Sequence, residues 1–492
     1  MPSTTSFPFD NTYAAQMRDF CLPASAAVFP NPSLLAFNAD LAEELGLDPD
    51  TLREEAHLIF SGQLLPEGAE PIAQAYAGHQ FGGFASQLGD GRAMMLGELV
   101  DKSGTRRDIQ LKGSGPTRFS RGADGKASVG PVLREYLVSA ALHALGIPTS
   151  RMLAAVATGQ QVRRERSLPG AVVTRVASSH LRVGTFEFFA ARGDRVRTKQ
   201  LADYAIERHY PHLAGSAAPY LGLLSAVSQA QAELIAGWMS IGFIHGVMNT
   251  DNFTIAGETI DFGPCAFMDT YDRRAVFSSI DYHGRYAYGN QPRIGQWNLA
   301  RFAEALLPLI DEDADIAVEQ AQEVLTAFAM HYQEKWVQRM CTKLGLVDVQ
   351  EADHKLVADL TEILETQKLD YTSTLRKLSS VAREEDTATD GLLASSPEFS
   401  AWGRQWLDRL DHQAASRSQA ADGMDTINPV YIPRNHLVEE ALNAAVEEQD
   451  LVPFEQLLER VTHPYQVREG FEAFAGAASE EFTKCYKTFC GT

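Results

Sequence analysis

Between residues 93 and 178 the apolar positions come in short runs: AMMLGELV (93–100), RDIQLKGS (107–114), MLAAVATG (152–159) and AVVTRVAS (171–178). Glycine-containing turns separate them, and runs of that length bounded by turns predict strands. One stretch in this region has helical spacing instead, PVLREYLVSAALHAL (131–145), with Pro131 at a first-turn position where its missing N–H goes unneeded. From about residue 200 the apolar spacing is helical throughout, in YLGLLSAVSQAQAELIAGWMSIG (220–242), GQWNLARFAEALLPLI (295–310) and AVEQAQEVLTAFAMHYQEKWVQRM (317–340). Between the first two of these lie the loop HGVMNTDN (245–252), a strand-like pair FTI and ETIDF that predicts a short hairpin, and a loop rich in Tyr, Asp and Gly (268–294). Ahead of the strand region, PSLLAFNADLAEELGL (32–47) predicts a helix.

The pattern divides the chain into an N-terminal extension (1–70), a β-rich part with one key helix (71–190), a helical part carrying the HGVMNTDN loop (191–330) and a C-terminal helical region with a cysteine-containing tail (331–492). The expected class is α+β. The order of elements is that of a protein-kinase-like bilobal fold: a β-rich N-lobe, a helical C-lobe, and extra helical segments at both ends. No repeat at a fixed period and no low-complexity tract interrupts it.

Composition narrows the partners. Of 492 residues, 45% are hydrophobic and 22% charged, as in ordinary soluble domains. A formal net charge of −21 argues against nucleic acid or an anionic membrane as the main partner. Basic islands such as RFSRG (118–122) and VRRERS (162–167) are local exceptions. Five cysteines without zinc spacing make neither a disulfide scaffold nor a structural metal site. With no basic-then-apolar leader and no apolar window of about 18 residues, a cytoplasmic location is expected. Nothing like a heptad seam demands association, so a monomer is expected.

The chemistry concentrates in a few places. Lys112 stands near the end of a predicted strand and Glu135 near the start of the following helix, the arrangement in which a strand lysine contacts nucleotide phosphates and a helix glutamate holds it; a solvated lysine and an unrelated glutamate are the plainer alternative. The tripeptide DFG (261–263) places Asp261 at a strand end, and Asn252 lies nine residues upstream. Together they offer two oxygen ligands of the kind Mg²⁺ takes alongside phosphate oxygens. HGVMNTDN resembles a kinase catalytic loop, H-R-D-x-x-x-x-N, but the catalytic aspartate's position is Val247. Asp251 is then the carboxylate best placed as a base, with loop capping as its alternative role. His245 is expected to be structural. Gly89, Gly91 and Arg92 in GDGR permit close backbone approach to phosphate, although a hairpin turn would also use them. No Walker P-loop, G-x-S-x-G or H-E-x-x-H occurs.

The strings HGVMNTDN, IDFGPCAFMD, GDGRAMMLGE, DIQLKGSGPTRFSRGADGKA and the closing KTFCGT are similar to the selenoprotein O family (bacterial YdiU-type proteins), over essentially the whole chain. The resemblance implies a pseudokinase fold with a working site. Such a site binds ATP in a flipped orientation and transfers AMP to Ser, Thr or Tyr hydroxyls of protein substrates, releasing pyrophosphate. It also implies roles by position. Asp251 is the proton acceptor; Asn252 and Asp261 hold Mg²⁺ (or Mn²⁺), with Asp261 also against nucleotide. Gly89, Gly91, Arg92, Lys112, Asp124, Gly125, Arg175 and Arg182 line the ATP site, and Glu135 pairs with Lys112. Eukaryotic relatives in that family carry selenocysteine near the C-terminus, where this chain has Cys490. This suggests a reversible disulfide between Cys265 and Cys490, with Cys485 as a competing partner.

Two other function classes fit parts of the pattern: an orthodox phosphotransferase, and a catalytically silent nucleotide-binding scaffold. Val247 favours the scaffold over the phosphotransferase, while Asp251 beside an intact metal pair disfavours silence.

Overall fold

The computed structural model describes residues 6–385 and 391–489. Ten strands precede the long helices: β1 (Cys21–Pro23), β2 (Ser33–Phe37), β3 (Ile72–Gln74), β4 (Gly78–Gln80), β5 (Gly83–Ala85), β6 (Ala93–Val100), β7 (Arg106–Lys112), β8 (Ala127–Ser128), β9 (Arg151–Arg163) and β10 (Ser167–Ala177). Eight form one antiparallel sheet in the order β1-β3-β6-β7-β10-β9-β2, with β8 also on β10; β4 and β5 make a separate hairpin. The four apolar runs of the sequence are β6, β7, β9 and β10. Successive side chains of a strand face opposite ways, and the core divides accordingly. Met95, Met152 and Val173 join one apolar cluster, whereas Met94, Leu153 and Val172 join another on the opposite face.

The helix α1 (Val129–Ala144) packs against β9 and β10 on the first of these faces, and the helix Val452–Thr462 packs against α1 in turn. Pro131 falls within its first turn, as expected. The same cluster continues into the helical half through α2 (Val183–Ala190), α3 (Pro219–Ser240), α4 (Gln291–Ile310) and α5 (Ala314–Lys343). There α3 packs against both α4 and α5 around Trp238, Ile235, Phe302 and Phe328. The protein is thus a mixed α/β molecule: one eight-stranded sheet, two small two-stranded ones, and many helices sharing the core of the large sheet. Among the described residues, no helix is long and apolar enough to cross a membrane.

Two expectations of local structure fail. Residues 32–47 are not one helix: Ser33–Phe37 is β2, paired with β9 through Leu34↔Val156 and Phe37↔Ala154. The helix starts only at Ala39, where the Asn38 side chain accepts from Leu41 N at 3.0 Å. The open edge of β9 offers backbone partners that outweigh local helical spacing, and a strong N-cap fixes the boundary. Residues 253–262 do not pair as a hairpin either. Ile255 N donates to Leu181 O (3.0 Å) and Thr259 N to Pro148 O (3.0 Å), so each half pairs with a different, earlier segment. Thr254 closes the turn instead, its hydroxyl donating to Glu258 O at 2.7 Å.

The first seventy residues supply β1 and β2, the two opposite edges of the sheet. The chain between them crosses the ends of the inner strands, with Ala24 N donating to Pro71 O (3.0 Å), Ala27 N to Ser114 O (2.8 Å) and Asn31 N to Thr158 O (3.3 Å).

One buried charge has a consequence for stability. Lys343, the last residue of α5, donates to Asn428 Oδ1 at 3.1 Å and pairs with no carboxylate among the described residues. Burial, and secondarily Arg339, push its pKa down to about 7. The unfolded chain, with an ordinary lysine near ~10.4, then holds more protons than the folded one between pH 7 and that value. This group's contribution to stability therefore rises with pH across that window. Melting temperatures measured at pH 7 and pH 9 should rise more, or fall less, for the wild type than for Lys343→Met. Equal pH slopes would rule the lysine out.

Candidate active site

A cleft of about 440 Å³ opens where the ends of β6 and β7 meet the loop after α3. It gathers side chains from distant parts of the sequence: Gly89, Gly91, Arg92, Lys112, Asp124, Gly125, Arg175, Arg182, Val247, Asp251, Asn252 and Asp261 all line it. Glu135 stands just behind, bonded to Lys112.

Lys112 is the last residue of β7, and its ammonium pairs with Glu135 of α1 and also with Asp261. The other Glu135 oxygen accepts from Arg175 Nη2 of β10 at 3.3 Å, and Arg175 Nη1 donates to Gln110 Oε1 at 3.4 Å. Arg182 precedes α2; its guanidinium lies 4.2 Å from the centroid of the Tyr76 ring and 3.5 Å from Asp90 Oδ1. Asp90 is itself fixed by Gln74 N (3.0 Å) and Gln110 Nε2 (3.3 Å). Even so, among the described residues Arg175 Nε and Arg182 Nε and Nη1 are buried without a hydrogen-bond partner, and buried donors in folded proteins are rarely left unmatched.

Burial disfavours ionisation of Asp261, but the charges of Lys112, Arg92 and Arg175 outweigh it and hold the carboxyl far below the usual range. Its backbone is left-handed, at φ +68°. Non-glycine residues seldom adopt that conformation, and where they do it re-aims a side chain at a site.

Asp251 is opposite in character. It is half-buried, Gln80 Nε2 donates to its Oδ2 at 3.2 Å, and its Oδ1 has no partner among the described residues. Burial raises its pKa to about 6, against smaller opposing contributions from Gln80, a backbone N–H and Arg182. Two glycines let neighbouring backbone close over it: a Cβ on Gly78 would stand 2.7 Å from Asp251 Oδ1, and one on Gly184 would stand 3.3 Å from Asp251 Cα. The loop is held by a buried chain in which Thr250 Oγ1 donates to Glu187 Oε2 (2.5 Å). The other Glu187 oxygen meets His79 Nδ1 (2.5 Å), and His79 N donates back to Thr250 Oγ1 (2.7 Å).

His245 is structural, as expected. Its Nε2–H donates to Ile260 O at 2.9 Å and its Nδ1 accepts from Val247 N at 3.3 Å, tying the loop to the residue before Asp261. Asn252 Nδ2 donates to Val247 O at 3.1 Å, leaving the amide oxygen as the end offered to a cation. Among the described residues no group of three or more His, Cys, Asp or Glu could hold a metal. Asn252 and Asp261 nonetheless suit Mg²⁺, which commonly takes one or two protein oxygens and completes its shell with phosphate oxygens and water.

Asp124 lines the cleft, but its carboxylate is engaged by Arg164 (2.9 and 3.2 Å) and by Lys126 N (3.1 Å). Arg164 and Lys126 thereby join the wall without having been expected there. Tyr76, Asp90, Gly78, Gly184 and the His79–Glu187–Thr250 chain were also missed. The dense glycines of 77–91 were the visible signal for Tyr76, Gly78, His79 and Asp90, whereas Gly184, Glu187 and Thr250 lie outside that stretch. Cys265 is buried, with its thiol on Phe262 O at 3.0 Å and its pKa pushed up to about 12 by burial. Cys490 lies outside the described residues, and Cys485 is exposed.

Comparison with known proteins identifies the family. The family described as "Protein adenylyltransferase SelO" matches residues 4–462. The chain is 57% identical over 488 residues to the "Protein nucleotidyltransferase YdiU" of Cereibacter sphaeroides, covering 99% of this chain and 100% of that protein. It is 55% identical over 491 residues to the protein of the same name in Rhizobium leguminosarum bv. trifolii (99% and 98% covered), and 53% identical over 490 residues to that of Rhizobium meliloti (99% and 100%). Matched along almost its whole length, the chain belongs to the SelO family of protein adenylyltransferases and is a protein nucleotidyltransferase.

Proposed function

We propose that the protein transfers AMP from ATP to Ser, Thr or Tyr hydroxyls of protein substrates, in a protein-kinase-like bilobal frame with the nucleotide inverted relative to a kinase's. The observation that carries this reading is Asp251. A half-buried carboxylate with one oxygen unbonded among the described residues and a pKa raised to about 6 lines the same cleft as Lys112, Arg92, Arg175 and Arg182. The kinase base position, by contrast, is the apolar Val247.

In this scheme the Asp251 carboxylate takes the proton of the acceptor hydroxyl. The hydroxyl oxygen forms a bond to the α-phosphorus, the bond from that phosphorus to the bridging oxygen breaks, and pyrophosphate leaves. The unmatched N–H groups of Arg175 and Arg182 bind phosphate oxygens, and Lys112, held by Glu135, contacts phosphate beside them. Gly89 and Gly91 allow backbone to approach the nucleotide. Asn252 and Asp261 would hold Mg²⁺, which when bound neutralises phosphate charge. Positioning and charge neutralisation then supply most of the rate enhancement.

ATP labelled separately at the α and γ positions tests the reaction directly. Label from α, but not from γ, should remain on acceptor protein, and the reverse pattern would make the enzyme a phosphotransferase. Asp251→Asn should lower turnover by about 10²–10⁴-fold, the usual worth of general base catalysis, with the ATP dissociation constant changed little. Loss of ATP binding in that variant would remove Asp251 from the base role. Arg182→Met should weaken ATP binding by roughly tenfold or more, the scale of a lost charge-assisted hydrogen bond, as measured by calorimetry.

A further inference from the structure

A second cavity, of about 700 Å³, adjoins the catalytic cleft, and the two share walls at Phe81 and Ile280. Its lining is largely apolar, with Ile294 and Trp297 from α4 and the side chain of Tyr282, which is 85% exposed. Two guanidiniums enter it. That of Arg285 lies 4.6 Å from the centroid of the Trp297 ring, with its Nε buried and unbonded, and Arg293 is exposed on the first turn of α4. Neither pairs with a carboxylate among the described residues. Asp281, the one carboxylate in the wall, is committed to backbone, accepting from Arg285 N (2.9 Å) and Tyr286 N (2.8 Å). In a chain of net charge −21 this is a local reversal of sign.

The groove is also fixed relative to the base. Phe81, at the tip of the β4–β5 hairpin, has its N–H shared between Asn249 Oδ1 (3.1 Å) and Tyr286 OH (3.2 Å), and these two atoms are 2.5 Å apart. Gln80, the preceding residue, touches Asp251. A polypeptide lying in the groove and passing Phe81 therefore arrives at Asp251. The cations that suit a triphosphate stand in the first cleft, so those of the groove are left for a different anion.

We propose that this groove docks the acceptor protein, an inference that rests on the AMP-transfer reading. The acceptor is an extended segment whose hydroxyl residue reaches Asp251. An Asp or Glu a few positions away pairs with Arg285 and Arg293, and a bulky apolar side chain covers Trp297. Stacking on the indole holds the Arg285 guanidinium in place, which reduces the entropy lost when a carboxylate binds it.

The test uses the full-length protein and a synthetic peptide library with a fixed central Ser, Thr or Tyr and degenerate flanks, incubated with ATP labelled at α or at γ. Wild type should favour Asp or Glu over Lys or Arg at one fixed flanking position by roughly fivefold, the scale of two partly exposed charge pairs. R285E/R293E should reverse that preference, and R293E alone, at an exposed position, should weaken it. Both variants should keep the wild-type ATP dissociation constant, and R293E, being exposed, the wild-type melting temperature as well. Absence of an acidic preference, a preference that survives reversal, or failure to label any peptide would overturn the docking site. A fall in ATP affinity in the variants would do the same by assigning the groove to nucleotide. Label from γ and not α would instead remove the AMP-transfer reading, and this inference with it.

Discussion

The ammonium of Lys112 is the point on which the site turns. It joins the end of β7 to Glu135 on α1 and to Asp261 in the loop that follows α3. These three carriers come from the sheet, from the helix packed on it and from the helical half, so one buried cation sets how the two halves of the core meet. A buried pair adds little net stability, because desolvating the charges offsets most of their attraction. Removing one member, however, leaves an uncompensated charge costing about 3–5 kcal/mol. The triad therefore specifies an arrangement more than it stabilises one. Arg175 extends it, and the same network keeps Asp261 ionised in a place where burial alone would neutralise it.

Asp251 and Asp261 show how environment divides labour between two like residues in one cleft. Asp261 is surrounded by cations and is held as a permanent anion. Asp251 faces a glutamine and two glycines, and burial dominates, so its proton is easily gained and lost. The first suits charge balance against phosphate and metal; the second suits proton transfer.

Much of this was legible in the sequence where periodicity or spacing carried it. The strands β6, β7, β9 and β10 follow from apolar runs between turns and α1 from its helical spacing, whereas the pairing of Lys112 with Glu135 was one of two open readings until the family resemblance implied it. What was not legible came from partners distant in the chain. Residues 33–37 follow the free edge of β9, which local spacing does not encode. Residues 253–262 follow Pro148 and Leu181. Gly78 and Gly184 matter because they are small against Asp251, more than 65 positions away, and composition reveals only that glycine is dense nearby. Arg164 entered the site because Asp124, 40 positions earlier in the chain, binds it, whereas a charge run by itself predicts a solvated face.

The two short edge strands bear on how the chain is made and kept apart from its neighbours. An antiparallel sheet with bare edges is a template for pairing with another molecule. Here both edges are supplied by residues 21–37, one continuous stretch. During synthesis β2 must wait for β9, more than a hundred residues later, before it has a partner. Until then the nascent segment is an unpaired strand, and Pro23, Pro30 and Pro32 within and between the two edges lower its tendency to self-associate. Loss of this one segment would expose both edges of the sheet at once and free Ser114, which Ala27 N holds two residues from Lys112, so aggregation and altered catalysis would surface together.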